Sequence, residues 1–197
     1  MATHPAVREW TYAEFARLPD DGNRYEVIAG ELYVTPAPNS IHQTVSFRLV
    51  HLFGGFCEER GAGIAFHAPY DVLFKDGDYM QPDLVFVRRE RTHIIKDRGL
   101  EGTPDLVIEI LSESSEDRDR GIKRERYAAH GVPEYWIIDA DAKHVEVYRL
   151  NLGELRRIAV EDDVLRYRPA SSGPELVIDV PHLLRPANDF SSKPRRL

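Results

Sequence analysis

A single cysteine, Cys57, stands among the 197 residues, so the chain can close no internal disulfide and build no cysteine-rich zinc site. It falls in a helical pattern beside Phe53 and Phe56 and reads as a small buried hydrophobe. No apolar run approaches the ~20 residues of a membrane span; the longest are Leu106 to Leu111 and Tyr135 to Ile138. The start, Met1-Ala2-Thr3-His4-Pro5, has no basic stretch leading into an apolar one, so no membrane association and a cytoplasmic location are expected. Positive charge is also in short supply. With 26 basic residues against 33 acidic ones the net charge is −7, which excludes coating nucleic acid through the overall field and leaves only local basic surfaces. Several motifs are missing too: G-x-x-x-x-G-K-[ST], G-x-G-x-x-G, G-x-S-x-G and H-E-x-x-H. P-loop hydrolysis, a nucleotide cofactor, nucleophile-elbow chemistry and zinc proteolysis therefore have no support.

What is present is the composition of a globular domain, 42% hydrophobic and 30% charged, with a length suited to one fold. One domain over 1–187 and a flexible tail over 188–197 are expected, with Lys193, Arg195 and Arg196 solvated in that tail. Thr11 and Glu14 form a capping box for a short helix running to about Leu18. Arg24 to Ile28 and Glu31 to Thr35 read as a hairpin turning at Gly30. Ser40 and Gln43 form a second capping box before a long amphipathic helix with Ile41, Val45, Leu49, Leu52, Phe53 and Phe56 on one side and Gly61 at its end. Strands follow over 64–74 and 81–87, and a charged loop over 88–101. Asp105 to Leu111 is apolar on both faces, the mark of a strand covered above and below. A helix over 116–130, capped by Ser114 or Ser115, then strands over 135–139, 145–150, 155–160 and 176–180 complete the order. This is α/β, a mixed sheet flanked by helices on both faces with extra C-terminal strands.

Glu109 is the informative residue, a carboxylate inside that covered strand on the same face as Asp105, Val107 and Leu111. It costs several kcal/mol there unless a cation compensates it, so it is either half of a structural ion pair with an arginine or lysine or part of a site. Asp83, after Pro82, opens the run Leu84 to Val87. If the two strands are neighbours, ~4.8 Å apart, both carboxylates can reach one hard cation, naturally Mg²⁺. Lys123 lies mid-way along the following helix, with Tyr127 one turn later and Arg120 one turn earlier, and can extend toward Glu109 if that helix packs back over the strand. His42, in the first turn of the long helix, is a surface or capping residue or a ligand.

The segments "RYEVIAGEL" (24–32), "QPDLVFV" (81–87), "PDLVIEILS" (104–112) and "RDRGIKRERYAAHGVPEYWIID" (118–139), in that order, resemble the Uma2 family of the PD-(D/E)XK nuclease superfamily. The resemblance runs from about Thr11 to Leu150. It implies a restriction-endonuclease-like fold and metal-dependent DNA hydrolysis leaving a 5′-phosphate. It matches Asp83 to the Asp of the PD element and Glu109 to the second acidic residue. Leu111 stands where the superfamily has its lysine, which points to Lys123 as a migrated lysine. Pro104-Asp105 is a rival PD element, ranked lower because Asp105 shares Glu109's strand. Mg²⁺ or Mn²⁺ would then be held by Asp83, Glu109 and a backbone carbonyl near Ile110. Glu26 would be a further ligand or hydrogen-bond partner, or else a salt-bridge partner of Arg24. Arg120 and Arg124 would contact double-stranded DNA, and the protein would act as a homodimer. The acidic net charge motivates a rival of another class, a silent nuclease-fold binding or assembly module.

Overall fold

The computed structural model describes residues 10–189. Of the expected tail, residues 190–197 lie outside the described residues, as do Met1 to Pro5. The Thr11 capping box forms, but the helix it starts spans only Tyr12–Phe15. Strands Arg24–Ile28 and Glu31–Thr35 pair as a hairpin whose two turn residues, Ala29 and Gly30, are both left-handed at φ 52° and 81°. Such a turn matches the strand twist, and glycine enters it without steric penalty.

Two six-stranded mixed sheets carry the fold. The larger runs, edge to edge, Glu154–Glu161, His144–Asn151, Glu134–Asp139, Leu106–Ile110, Leu84–Arg88 and Gly63–His67. Only the Leu106–Ile110 and Glu134–Asp139 pair in it is parallel, as a strand–helix–strand crossover requires. The second sheet orders Glu31–Thr35, Arg24–Ile28, Tyr79–Met80, Val72–Leu73, Gly99–Glu101 and Ile95–Lys96. Sequence periodicity does not separate this sheet from the first, because three of its strands are two residues long. The strand expected over 81–87 begins only at Leu84 and runs to Arg88; Tyr79–Met80, just before it, belongs to the other sheet, and Gln81-Pro82-Asp83 bridges the two. Among the described residues no helix is long and apolar enough to cross a membrane.

Leu106–Ile110 is buried along its whole length, as its two-faced apolar pattern requires. Leu106, Ile108 and Ile110 pack with Trp136 and Ile138 against the long helix Ser40–Arg60. The expected strand Leu176–Asp179 pairs in a hairpin with Val164–Tyr167, and that partner and the short helix Val180–Leu184, neither anticipated from the sequence, complete that layer. Val107 faces the other way, with Tyr135 and Ile137, toward the crossover helix and the second sheet.

Two helix starts differ from the expectation. The long helix is capped by Asn39, whose side chain accepts the His42 N–H at 2.9 Å, not by Ser40. The buried stripe consequently runs His42, Val45, Leu49, Phe53 and Phe56, while Ile41 is 49% exposed. Asn39→Ala should therefore lower stability by about 1 kcal/mol and Ser40→Ala by much less, as read by denaturant midpoints at unchanged slope. Ser115 bonds back to Ser112 in place of capping its helix. That helix is also not continuous: Glu116–Arg118 and Arg124–Ala129 flank a wide, π-like turn over Asp119–Lys123, broken at Gly121. Wide turns of this kind recur at functional sites.

Candidate active site

Register builds the centre of the site. Leu84 pairs with Ile108 and Val85 with Val107 in antiparallel sense, so Asp83 faces Glu109 across adjacent strands. Asp83 is held from three sides. Arg24 Nη1 donates to Oδ1 at 2.6 Å, while Oδ2 takes the Ile110 N–H at 2.8 Å and lies 3.0 Å from His42 Nε2. Burial opposes ionisation, yet the His42 contact, the Arg24 charge and the Ile110 amide together hold the acid down at about 2.

Glu109 is the opposite case. Lys123 Nζ lies 2.9 Å from its Oε1 and the Tyr127 hydroxyl donates to the same atom at 2.8 Å. Burial, with the neighbouring Asp119, Asp83 and Glu26 carboxylates, outweighs the lysine and pushes Glu109 up to about 8. The same ammonium lies 3.0 Å from Glu26 Oε1 and 3.5 Å from Asp119 Oδ1. Burial works against the lysine's charge, but these three acids raise its pKa and keep it protonated. Glu26 Oε1 also accepts the Gln81 N–H at 2.9 Å, tying the hairpin to the bridge before Asp83. Burial likewise raises Asp119, and its Oδ1 has no hydrogen-bond partner.

Glu26, Asp83, Glu109 and Asp119 thus converge, nearly all buried, on Lys123 and Arg24. Four acids face two fixed positive charges, a deficit that a proton on Glu109 offsets in the metal-free protein, and Asp119 Oδ1 lacks a hydrogen bond. A divalent cation fits both facts, since hard cations take carboxylate oxygens.

Glu109 gives the metal-free protein a pH signature. Its folded pKa lies above its ordinary value of 4.5, so the folded state holds a proton that the unfolded chain releases between about pH 4.5 and 8. This contribution to stability falls as pH rises through that window. Asp83, lowered from 3.8, stabilises above its ordinary value and loses that effect only as pH falls toward about 2, outside the window. Melting scans of metal-free parent and Glu109→Gln should converge at pH 5 and separate by pH 8, the variant being the more stable; parallel curves would contradict the shift.

Of the residues named from the sequence, Asp83, Glu109, Lys123, Glu26, His42 and Tyr127 come together here, and Ile110 contributes its N–H to Asp83. Arg120 and Arg124 do not join them. Arg120 is paired with Glu116, with Asp139 at 2.9 Å and with Glu146 at 2.6 Å, while Arg124 lies over the Tyr148 ring. Asp139, Glu146 and His144 have ligand atoms within 4.8 Å of one another, but the Arg120 guanidinium already occupies the two carboxylates. The rival Asp105 accepts the Arg88 N–H at 2.9 Å and pairs with Arg88 at 2.7 Å and Arg91 at 2.8 Å. Asp105→Ala should thus lower stability by roughly 1–3 kcal/mol, because the Arg88 N–H and two half-buried guanidiniums lose their shared acceptor, without altering divalent-ion binding measured by calorimetry.

Arg24 and Asp119 were missed as site residues. The spacing of Asp119, Lys123 and Tyr127, two successive steps of four, would have found the second, because on a helix these three share one face.

A mixed sheet flanked by helices, with a buried acid pair at its centre, is a restriction-endonuclease-like fold. A solved structure described as a "putative nuclease belonging to DUF820" from Anabaena variabilis ATCC 29413 superposes with a TM-score of 0.70 at 24% identity, covering 89% of this chain and 97% of the other. The chain belongs to the Uma2 family, described as "Putative restriction endonuclease", whose model matches residues 12–180. An uncharacterized protein of Synechocystis sp., slr1290, is 26% identical over 134 residues, 65% of this chain and 67% of that protein.

Proposed function

We propose that the protein is a metal-dependent endonuclease that hydrolyses DNA phosphodiester bonds with an activated water. The observation that carries this reading is Asp83, at the entry of one central strand, beside Glu109 on its neighbour, with Lys123 Nζ 2.9 Å from the glutamate. Asp83 and Glu109, with a backbone carbonyl near Ile110 and with Asp119 close by, would hold Mg²⁺ or Mn²⁺. The bound ion would supply Lewis acidity toward a phosphate oxygen and a lowered pKa for its water. Lys123 would position that water or bear on the charge growing at phosphorus. Tyr127 orients Glu109 through its hydroxyl, and Glu26 and Asp119 orient Lys123. Cleaving both strands of a duplex needs two such sites, which a homodimer supplies.

The test is incubation of supercoiled plasmid with Mg²⁺, with EDTA and with the Asp83→Asn variant. Cleavage by the parent in Mg²⁺ alone is expected. Intact plasmid throughout, with no calorimetric binding of Mg²⁺ or Mn²⁺, would favour a non-cutting module of the same fold.

A further inference from the structure

A groove of about 590 Å³ opens beside Asp83, its inner end formed by Arg24, His42 and Asp83 itself. It is therefore continuous with the carboxylate site. The long helix lines it with Gln43, Phe47 and Val50, and Leu18, Asp20 and Asp71 line it as well. Phe47 is 73% exposed, although the same helix buries Phe53 and Phe56 in the core. Its position is off the stripe His42, Val45, Leu49, Phe53 and Phe56, so the core does not require an aromatic residue there. An exposed phenyl ring lining a groove of mixed, largely apolar character is a stacking surface, and it meets no other ring among the described residues.

We propose that this groove receives the base of the nucleotide adjoining the scissile phosphate, stacked on Phe47. The inference rests on the nuclease reading of the adjacent site and names the form of substrate that site takes: a strand with one base unstacked, either single or locally opened. Charge sorts the two ends of such a nucleotide. Asp20 and Asp71 in the groove repel phosphate and leave it to a neutral base, while Arg24 at the inner end, paired with Asp83 at 2.6 Å, becomes available to phosphate once a cation takes its place on Asp83. Phe47 lies five residues beyond His42, about 7.5 Å along the helix axis, a span that one nucleotide bridges. Exposed aromatic rings are the platforms on which proteins hold unstacked bases.

The experiment measures binding of two fluorescein-labelled strands in Ca²⁺ by anisotropy, an eight-nucleotide single-stranded DNA and the same backbone with abasic sites. Parent, Phe47→Ala and Phe47→Trp are compared, and sedimentation is run on each. Phe47→Ala should weaken binding of the normal strand roughly ten-fold, the order of one lost stacked base. It should leave the abasic strand unaffected, and Phe47→Trp should restore parental affinity. Equal affinities for parent and Phe47→Ala overturn the base groove and leave the nuclease reading standing. Absence of binding to either strand by the parent overturns both. A Phe47→Ala protein that changes its oligomeric state at unchanged DNA affinity assigns the ring to contact with a second copy and overturns the groove as well.

Discussion

Lys123→Met should reduce turnover at least ~100-fold, the scale on which removal of one positioned charge-stabilising donor acts. The same change should destabilise the metal-free protein by about 3–5 kcal/mol. Lys123 is the ammonium on which Glu26, Glu109 and Asp119 converge, and removing one partner of a buried pair leaves the others uncompensated. Methionine keeps most of the stem's volume, so packing contributes little to the loss. Mg²⁺ should then raise the melting temperature of the variant more than that of the parent, because a cation replaces the missing charge. Single-turnover cleavage and melting scans with and without Mg²⁺ read both effects. Parental cleavage by Lys123→Met would remove the lysine from the mechanism.

Glu109→Gln is expected to act on activity and stability in opposite directions. The amide keeps the shape of the side chain and its acceptor for the Tyr127 hydroxyl, so the fold persists. Divalent-ion binding should fall more than ~10-fold and cleavage should become undetectable, because an anionic ligand is lost. Above pH 7 the metal-free variant should melt higher than the parent, since burial and three nearby carboxylates push Glu109 up to about 8 and its ionised form is disfavoured. Cleavage retained by the variant, or its collapse on purification, would make Glu109 a structural residue.

Most of the local structure follows from short-range signals that act at full strength in the chain itself. The hairpin at Ala29-Gly30, the long helix closed by Gly61 and the two-faced strand around Ile108 were legible because turn chemistry, a left-handed cap and apolar periodicity need no distant partner. Glu109 was legible for the same reason, as a carboxylate in an otherwise apolar run. The second sheet was not, since Val72–Leu73 and Tyr79–Met80 have no period of their own and exist only through pairing with distant strands. The role of His42 turned on one residue of register: with Asn39 as the cap, His42 replaces Ile41 on the buried side and reaches Asp83. Arg24 was invisible as a partner of Asp83 because the bridge Gln81-Pro82-Asp83 between the sheets creates that contact.

The most direct measurement is anomalous diffraction from a crystal soaked in Mn²⁺. A peak should lie within about 2.0–2.3 Å of both an Asp83 and a Glu109 carboxylate oxygen, with the Arg24 guanidinium moved off Asp83. An empty position there, with Arg24 still on Asp83 and any bound ion confined to Asp139, His144 and Glu146, would contradict the metal-dependent site.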